Sequence, residues 1–148
     1  MLDCAILIGL PAAGKTTFYR QRLSTTHLHI SKDLLPRGAR DKQQRQDAAI
    51  RTALAAGQSV AIDNTNVSMA ERAAIIALAR EYGARVTGYY LEVSTRAAVA
   101  RNEGREGRGR VPKVAIFTAA KRLEPPDLSE GFDELHVLHA GPEGLAPT

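Results

Sequence analysis

The sequence predicts an α/β fold in which a five-stranded parallel sheet carries helices on both faces. Three observations lead there. Strand-like and helix-like segments alternate along the chain, the pattern of consecutive parallel crossovers. The strand-like segments are nearly continuous apolar runs, as strands covered on both faces must be. A glycine-rich turn separates the first strand from the first helix, the place where open α/β sheets bind ligands.

Residues 4–9 (CAILIG) form the first strand, and a helix follows over 15–23. Residues 28–30 are a brief second strand. Helix formers dominate 41–56, where Ala48, Ala49, Thr52, Ala53 and Ala56 are spaced to make one apolar face and Gly57 stands where a C-cap is wanted. The third strand, 59–62, ends in the polar group Asp63-Asn64-Thr65-Asn66. Ser68 with Glu71 three residues on reads as a capping box, opening a helix to Tyr82 that Gly83 ends. Residues 86–93 are the fourth strand, and Ser94 caps a helix towards Arg101. A glycine- and arginine-rich connector spans 102–112. Residues 113–123 are helical and 134–138 make the fifth strand. Phe18, Tyr19, Phe117 and Phe132 fall within these patterns and are expected in the core. A single domain over 1–140 is expected, with 141–148 a frayed tail.

The 148 residues are 44% hydrophobic and 24% charged, with one cysteine. A lone cysteine makes neither an internal disulfide nor a zinc site, so Cys4 is expected to be a small core residue. No apolar stretch approaches the ~18–20 residues that span a bilayer, and no basic, cleavable leader opens the chain. A cytoplasmic location is expected. The net charge is +4, but eight basic residues between Arg96 and Arg122 face only Glu103 and Glu106. Such a segment suits a polyanion, whether ATP or nucleic acid, or a solvated helix face.

The turn after the first strand, Gly9-Leu10-Pro11-Ala12-Ala13-Gly14-Lys15-Thr16, fits G-x-x-x-x-G-K-[ST] without a mismatch. The glycines let the backbone curl so that N–H groups cradle phosphates at a helix N-terminus. In this pattern Lys15 reaches the β- and γ-phosphates of ATP and the Thr16 hydroxyl ligates Mg²⁺. Gly9, Pro11, Ala12, Ala13, Gly14, Lys15, Thr16 and Thr17 are therefore the expected nucleotide-binding residues. Asp63, at the tip of the neighbouring strand, is the second expected Mg²⁺ ligand. The order of elements resembles that of adenylate-kinase-like P-loop proteins.

Ser31-Lys32-Asp33 follows the second strand at the same sheet edge. A carboxylate there can accept the proton of a substrate hydroxyl that attacks the γ-phosphorus, or it can serve as an N-cap. The connector with Arg101, Arg105, Arg108 and Arg110 is the candidate lid, with glycines at 104, 107 and 109. Arginine forks suit charge stabilisation on a moving phosphoryl group.

Four blocks in order, GLPAAGKTT, the aspartate after strand two, IDNTN with Arg72 beyond it, and ARNEGREGRGRVP, resemble the kinase module of polynucleotide 5′-hydroxyl kinases. A fifth, EPPDLSEGFDEL at 124–135, resembles the end of that domain in the animal repair enzyme. The resemblance implies an ATP- and Mg²⁺-dependent kinase acting on the 5′-hydroxyl of RNA or DNA. Asp33 would be the base, and Arg101 and Arg105 would meet the ATP phosphates and the transition state. Asp33, Arg37, Asp63 and Asn64 are the implied acceptor-side residues. Asn64 and Asn66 either orient the site or turn the backbone, and Arg72 either braces the fold or touches substrate. The sequence departs from the family where the phage enzyme has an acceptor-binding arginine, here Pro36, with Arg37 and Arg40 beyond. No 3′-phosphatase motif is found. The alternative reading is a P-loop kinase of a small hydroxyl compound such as a sugar, nucleoside or antibiotic.

Overall fold

The structure, a computed structural model, describes the backbone of residues 1–141 and 144–147 and the side chains of residues 1–139 other than Arg108. Five strands are parallel: β1 (Asp3–Ile8), β2 (Leu28–Ile30), β3 (Val60–Asp63), β4 (Arg85–Glu92) and β5 (Glu134–Gly141). Gly144–Pro147, expected to fray, instead forms β6 and pairs antiparallel with β5. Pairing satisfies backbone groups whatever the side chains, which is why hydrophobic patterning gives no sign of it. The sheet order is β2-β3-β1-β4-β5-β6. Because β1 lies between β3 and β4, the chain winds to one side and then the other, and the C-terminal ends of β1 and β3 form the switch point where such sheets bind ligands.

Five α-helices are described: α1 (Lys15–Arg22), α2 (Lys42–Ala55), α3 (Met69–Glu81), α4 (Thr95–Glu103) and α5 (Lys113–Arg122). Alternation along β1 divides the core. Cys4, Ile6 and Ile8 pack with Ile50, Leu54, Ile75 and Ala79 of α2 and α3. Ala5 and Leu7 pack on the other face with Phe18, Tyr19 and Leu23. A third cluster under α4 and α5 joins Leu10, Val67, Ala98 and Ile116. Cys4 is buried, and burial followed by the nearby Asp3 charge pushes its thiol up to about 12, so it is an inert core residue.

Two expected faces are corrected. On α2, Ala48, Ala49, Thr52 and Ala56 are exposed, and the buried side chains are Gln46, Ile50, Ala53 and Leu54. Alanine carries little burial preference, so Ile50 and Leu54 decide the orientation. Phe117 on α5 is 48% exposed, whereas Phe18, Tyr19 and Phe132 are buried as expected. Among the described residues no helix is long and apolar enough to cross a membrane.

Candidate active site

The turn from β1 to α1 is shaped by two left-handed residues, Ala12 at φ 65° and Gly14 at φ 100°. Gly14 is favoured chiefly by its backbone, with close packing as a smaller reason. Its φ disfavours any side chain, and an added Cβ would lie 3.1 Å from a guanidinium nitrogen of Arg101. Lys15 heads α1, yet its ammonium folds back and donates to the carbonyls of Gly9 (3.0 Å) and Leu10 (2.8 Å). Burial pulls Lys15 down to about 8, and Arg105 adds to the fall, while Asp63 and Asp33 are near enough to oppose it. Two carbonyls alone suit a buried cation poorly, and a phosphate would complete its partners.

Asp63 ends β3, 5% exposed. Its Oδ2 accepts from the Thr16 hydroxyl at 2.7 Å and from Nε2–H of His29 at 2.8 Å. Burial pushes its carboxyl up, but the His29 and Thr16 bonds and the Lys15 charge outweigh it, leaving the group below the ordinary carboxylate range. His29 is held in turn by stacking on Tyr19, with ring centroids 4.3 Å apart. A carboxylate and a hydroxyl 2.7 Å apart are hard oxygen donors that could hold Mg²⁺. Among the described residues no group of three His, Cys, Asp or Glu could hold a metal. An ion here would therefore take its remaining ligands from nucleotide phosphates and water, the usual arrangement for Mg²⁺.

Asp33 sits on a short 3-10 turn, Lys32–Leu34, whose cap is Ser31: the Ser31 hydroxyl accepts from the Asp33 amide at 3.2 Å. Ser31, not Asp33, is thus the capping side chain, and the Asp33 carboxylate is left exposed. Asn64 fixes this turn from below. Its Oδ1 accepts from the Lys32 amide at 3.0 Å and its Nδ2 donates to Gln46 Oε1 at 2.6 Å. Asn66, left-handed at φ 46°, donates to the Leu7 and Ile62 carbonyls and turns the backbone.

Lys15, Thr16, Asp33, Asp63, Asn64 and Arg105 line one cleft of about 820 Å³, together with Pro11, Ala12 and Gly14. Gly9 and Ala13 are buried within the loop, Thr17 is exposed on α1, and none of the three lines the cleft. Arg37 is exposed and also outside it. Arg101 packs on the phosphate loop, where its Nη1 donates to the Ala13 carbonyl at 3.3 Å. Arg110 does not line the cleft, and the Arg108 side chain lies outside the described residues. The connector is closed at its base by Asn102, 2% exposed, which donates to the Val111 carbonyl (2.7 Å) and accepts from the Val111 amide (2.9 Å).

Arg20, His29, Gln43, Gln46 and Arg122 also line the cleft, although sequence reasoning did not single them out. Arg20 stands four residues after Thr16 on α1, a helical spacing that puts both on one face. His29, Gln46 and Arg122 carried no such signal. Arg72 is completely buried and uses all five of its donors, on Glu130, on the Glu124 carbonyl and on the Asn66 and Val67 carbonyls. It braces the loop after β3 against segment 124–130 and does not reach the cleft.

A family model described as an AAA domain matches residues 5–126. A bifunctional polynucleotide phosphatase/kinase of Schizosaccharomyces pombe is 28% identical over 140 residues, which is 92% of this chain and 33% of that protein. The chain thus spans about one third of the length of the curated relatives it matches. Among solved structures, a fungal RNA kinase superposes with a TM-score of 0.70 at 16% identity, covering 93% of this chain and 75% of the other. A gluconokinase from Sinorhizobium meliloti does so with a TM-score of 0.67 at 19% identity, covering 95% and 84%. At these identities the two structures speak for the fold alone. The match over 5–126 takes in the phosphate loop, Asp33, Asp63 and the arginine connector, so the chain belongs to this AAA-domain family and is an ATP-binding P-loop kinase.

Proposed function

We propose that this kinase transfers the γ-phosphate of ATP to the 5′-hydroxyl end of a polynucleotide. The observation that carries the reading is the cleft itself. It gathers a solvent-exposed carboxylate, Asp33, with Lys15, Thr16, Asp63 and Arg105 on its walls. The S. pombe relative, named for action on polynucleotides, matches over 92% of the chain and supports the acceptor class.

In this reading the Asp33 carboxylate accepts the proton of the acceptor hydroxyl as its oxygen attacks the γ-phosphorus in line. A new P–O bond forms, the bond to the β,γ-bridging oxygen breaks, and ADP leaves. Asn64 keeps Asp33 in place through the Lys32 amide. Lys15 leaves its two carbonyl partners for the β- and γ-phosphates. Thr16 and Asp63 would hold Mg²⁺, which would supply charge neutralisation on the phosphate oxygens. Arg105 stabilises the transferring group, and Arg101 holds the phosphate loop from behind.

The test offers γ-labelled ATP, Mg²⁺ and a 5′-hydroxyl oligonucleotide to the protein and to Asp33→Ala. Label on the 5′ end, reduced by at least ~100-fold in the variant, the lower end of what a positioned base contributes, is expected. Intact ATP binding with no transfer to RNA or DNA would overturn the polynucleotide reading and point to a small hydroxyl acceptor.

A further inference from the structure

β2 is a three-residue edge strand, and its middle residue, His29, stands beside Ala61 in the parallel register. Residues paired in this way share a face of the sheet, and Ala61 belongs to the cluster under α1. His29 therefore projects towards α1, and so does Asp63, two residues beyond Ala61. The helix presents two side chains one turn apart to meet them. Thr16 donates to Asp63, and Tyr19 stacks on His29 with the rings 16° from parallel. The 2.8 Å bond from His29 to Asp63 closes a ring of four side chains, Thr16, Asp63, His29 and Tyr19.

Each member of the ring holds the next. The Tyr19 hydroxyl donates to the His27 carbonyl at 2.7 Å, which ties its aromatic ring to the entry of β2 as well as to α1. Stacking on a ring so fixed sets the plane of His29. A carboxylate only accepts, so Nε2 of His29 carries the hydrogen of its bond to Asp63. Asp63 thus receives two donors on one oxygen, Oδ2, one from α1 and one from β2. A single bond would let the carboxylate swing, and two from different elements stop it. Packing alone does not account for a histidine here. A phenyl ring would stack on Tyr19 as well, whereas a donor has a use where Asp63 meets the cleft that His29 itself lines.

We propose that His29 is a positioning residue of the metal site: its Nε2–H holds the Asp63 carboxylate against Thr16 in the orientation that a divalent cation requires. This rests on the reading above of Thr16 and Asp63 as the Mg²⁺-holding pair. His29 acts through Asp63 and does not itself touch the ion. Partners of this kind, bonded to a metal-binding side chain, are typically worth about 10- to 100-fold in metal affinity.

The experiment reads binding, not turnover. Affinity for an ATP analogue with an imido-linked γ-phosphate is measured in Mg²⁺ and in EDTA, and the ratio gives the metal-dependent gain. Wild type is compared with His29→Phe, which keeps a ring on Tyr19 and lacks the donor, and with His29→Gln, which keeps a donor and lacks the ring. His29→Phe is expected to lose roughly tenfold or more of the gain, with its affinity in EDTA unchanged, and His29→Gln to retain most of it. A full gain in His29→Phe would overturn the proposal and leave the metal site standing. Equal losses in the two variants would assign the effect to the ring and would also overturn it. No gain in wild type, or a full gain in Asp63→Asn, would overturn the metal reading and the proposal with it. A second measurement needs no variant. In ¹⁵N-histidine-labelled wild type, the His29 Nε2–H signal, assigned by its proximity to Tyr19, should shift when Mg²⁺ joins the bound analogue. A signal that does not respond, or a His29 with its hydrogen on Nδ1, would overturn the proposal.

Discussion

Asn102→Ala tests whether the arginine connector acts as a fixed device or as a loose flap. The Asn102 amide holds Val111 by two bonds of 2.7 and 2.9 Å and so closes a ring that carries Arg105. Alanine removes both. At about 1 kcal/mol net for each, the ring loses about 2 kcal/mol, a shift of roughly 30-fold in its opening equilibrium. Val111 is only half-buried, so water can re-satisfy its freed groups and the damage should stay local. The assay is steady-state phosphoryl transfer by wild type, Asn102→Ala, Arg105→Ala and the double variant, with melting curves for each. We expect Asn102→Ala to lower kcat by roughly 10- to 30-fold with a small change in the KM for the acceptor. Arg105→Ala should lose ~100-fold or more, and the double variant should lose no more than Arg105→Ala alone. A purely structural asparagine would behave differently. A global loss of about 2 kcal/mol would move Tm by roughly 4–8 °C, and its kinetic cost would add to that of Arg105→Ala. Additive losses, or an Asn102→Ala variant as active as wild type, would refute the coupling.

Further tests follow from the same geometry. Lys15, pulled down to about 8 by burial, is half-charged near that pH, and phosphates must raise it. ATP binding at pH 8 should therefore take up as much as about half a proton, measured calorimetrically in buffers of differing ionisation enthalpy; uptake unchanged in Lys15→Arg would refute this origin. The same depression has a stability consequence. The folded value lies below the ordinary 10.5, so above pH 8 the unfolded chain binds more protons and this group favours folding more as pH rises to about 10.5. Arg72→Leu should destabilise by roughly 3–5 kcal/mol, because it leaves Glu130 and three carbonyls without their buried partner; a urea midpoint close to wild type would contradict the brace. Gly88→Ala should cost about 1–3 kcal/mol by overpacking, since a Cβ there would lie 2.7 Å from Phe132 and 2.8 Å from Leu135, while the KM for ATP stays as in wild type.

How much of this the sequence announces depends on the range of the interaction that fixes each part. The phosphate loop is readable because its requirements are local: left-handed backbone at Ala12 and Gly14, and a lysine and threonine at the next helix start. The helix caps are readable for the same reason, and Ser68 and Ser94 accept from Glu71 and Ala97 as their spacing predicts. The capping box is only half present, however. The Glu71 side chain pairs with Arg122 across 51 residues, and no three-residue motif contains that partner. Arg72 shows the limit most clearly. Its place beyond the IDNTN block leaves bracing and substrate contact equally open, and its carboxylate partner Glu130 lies 58 residues away. That pairing also gives a physical reason for the EPPDLSEGFDEL block: Glu124 and Glu130 hold the loop that carries Asn64 and Asn66, and Asn64 holds the turn that carries Asp33. A segment far from the cleft can thus be tied to the chemistry through two relays of hydrogen bonds. The acceptor side resists reading for the opposite reason. Arg37, Arg40 and Arg45 are exposed and Lys42 is half-buried, so sequence spacing does not say what they face.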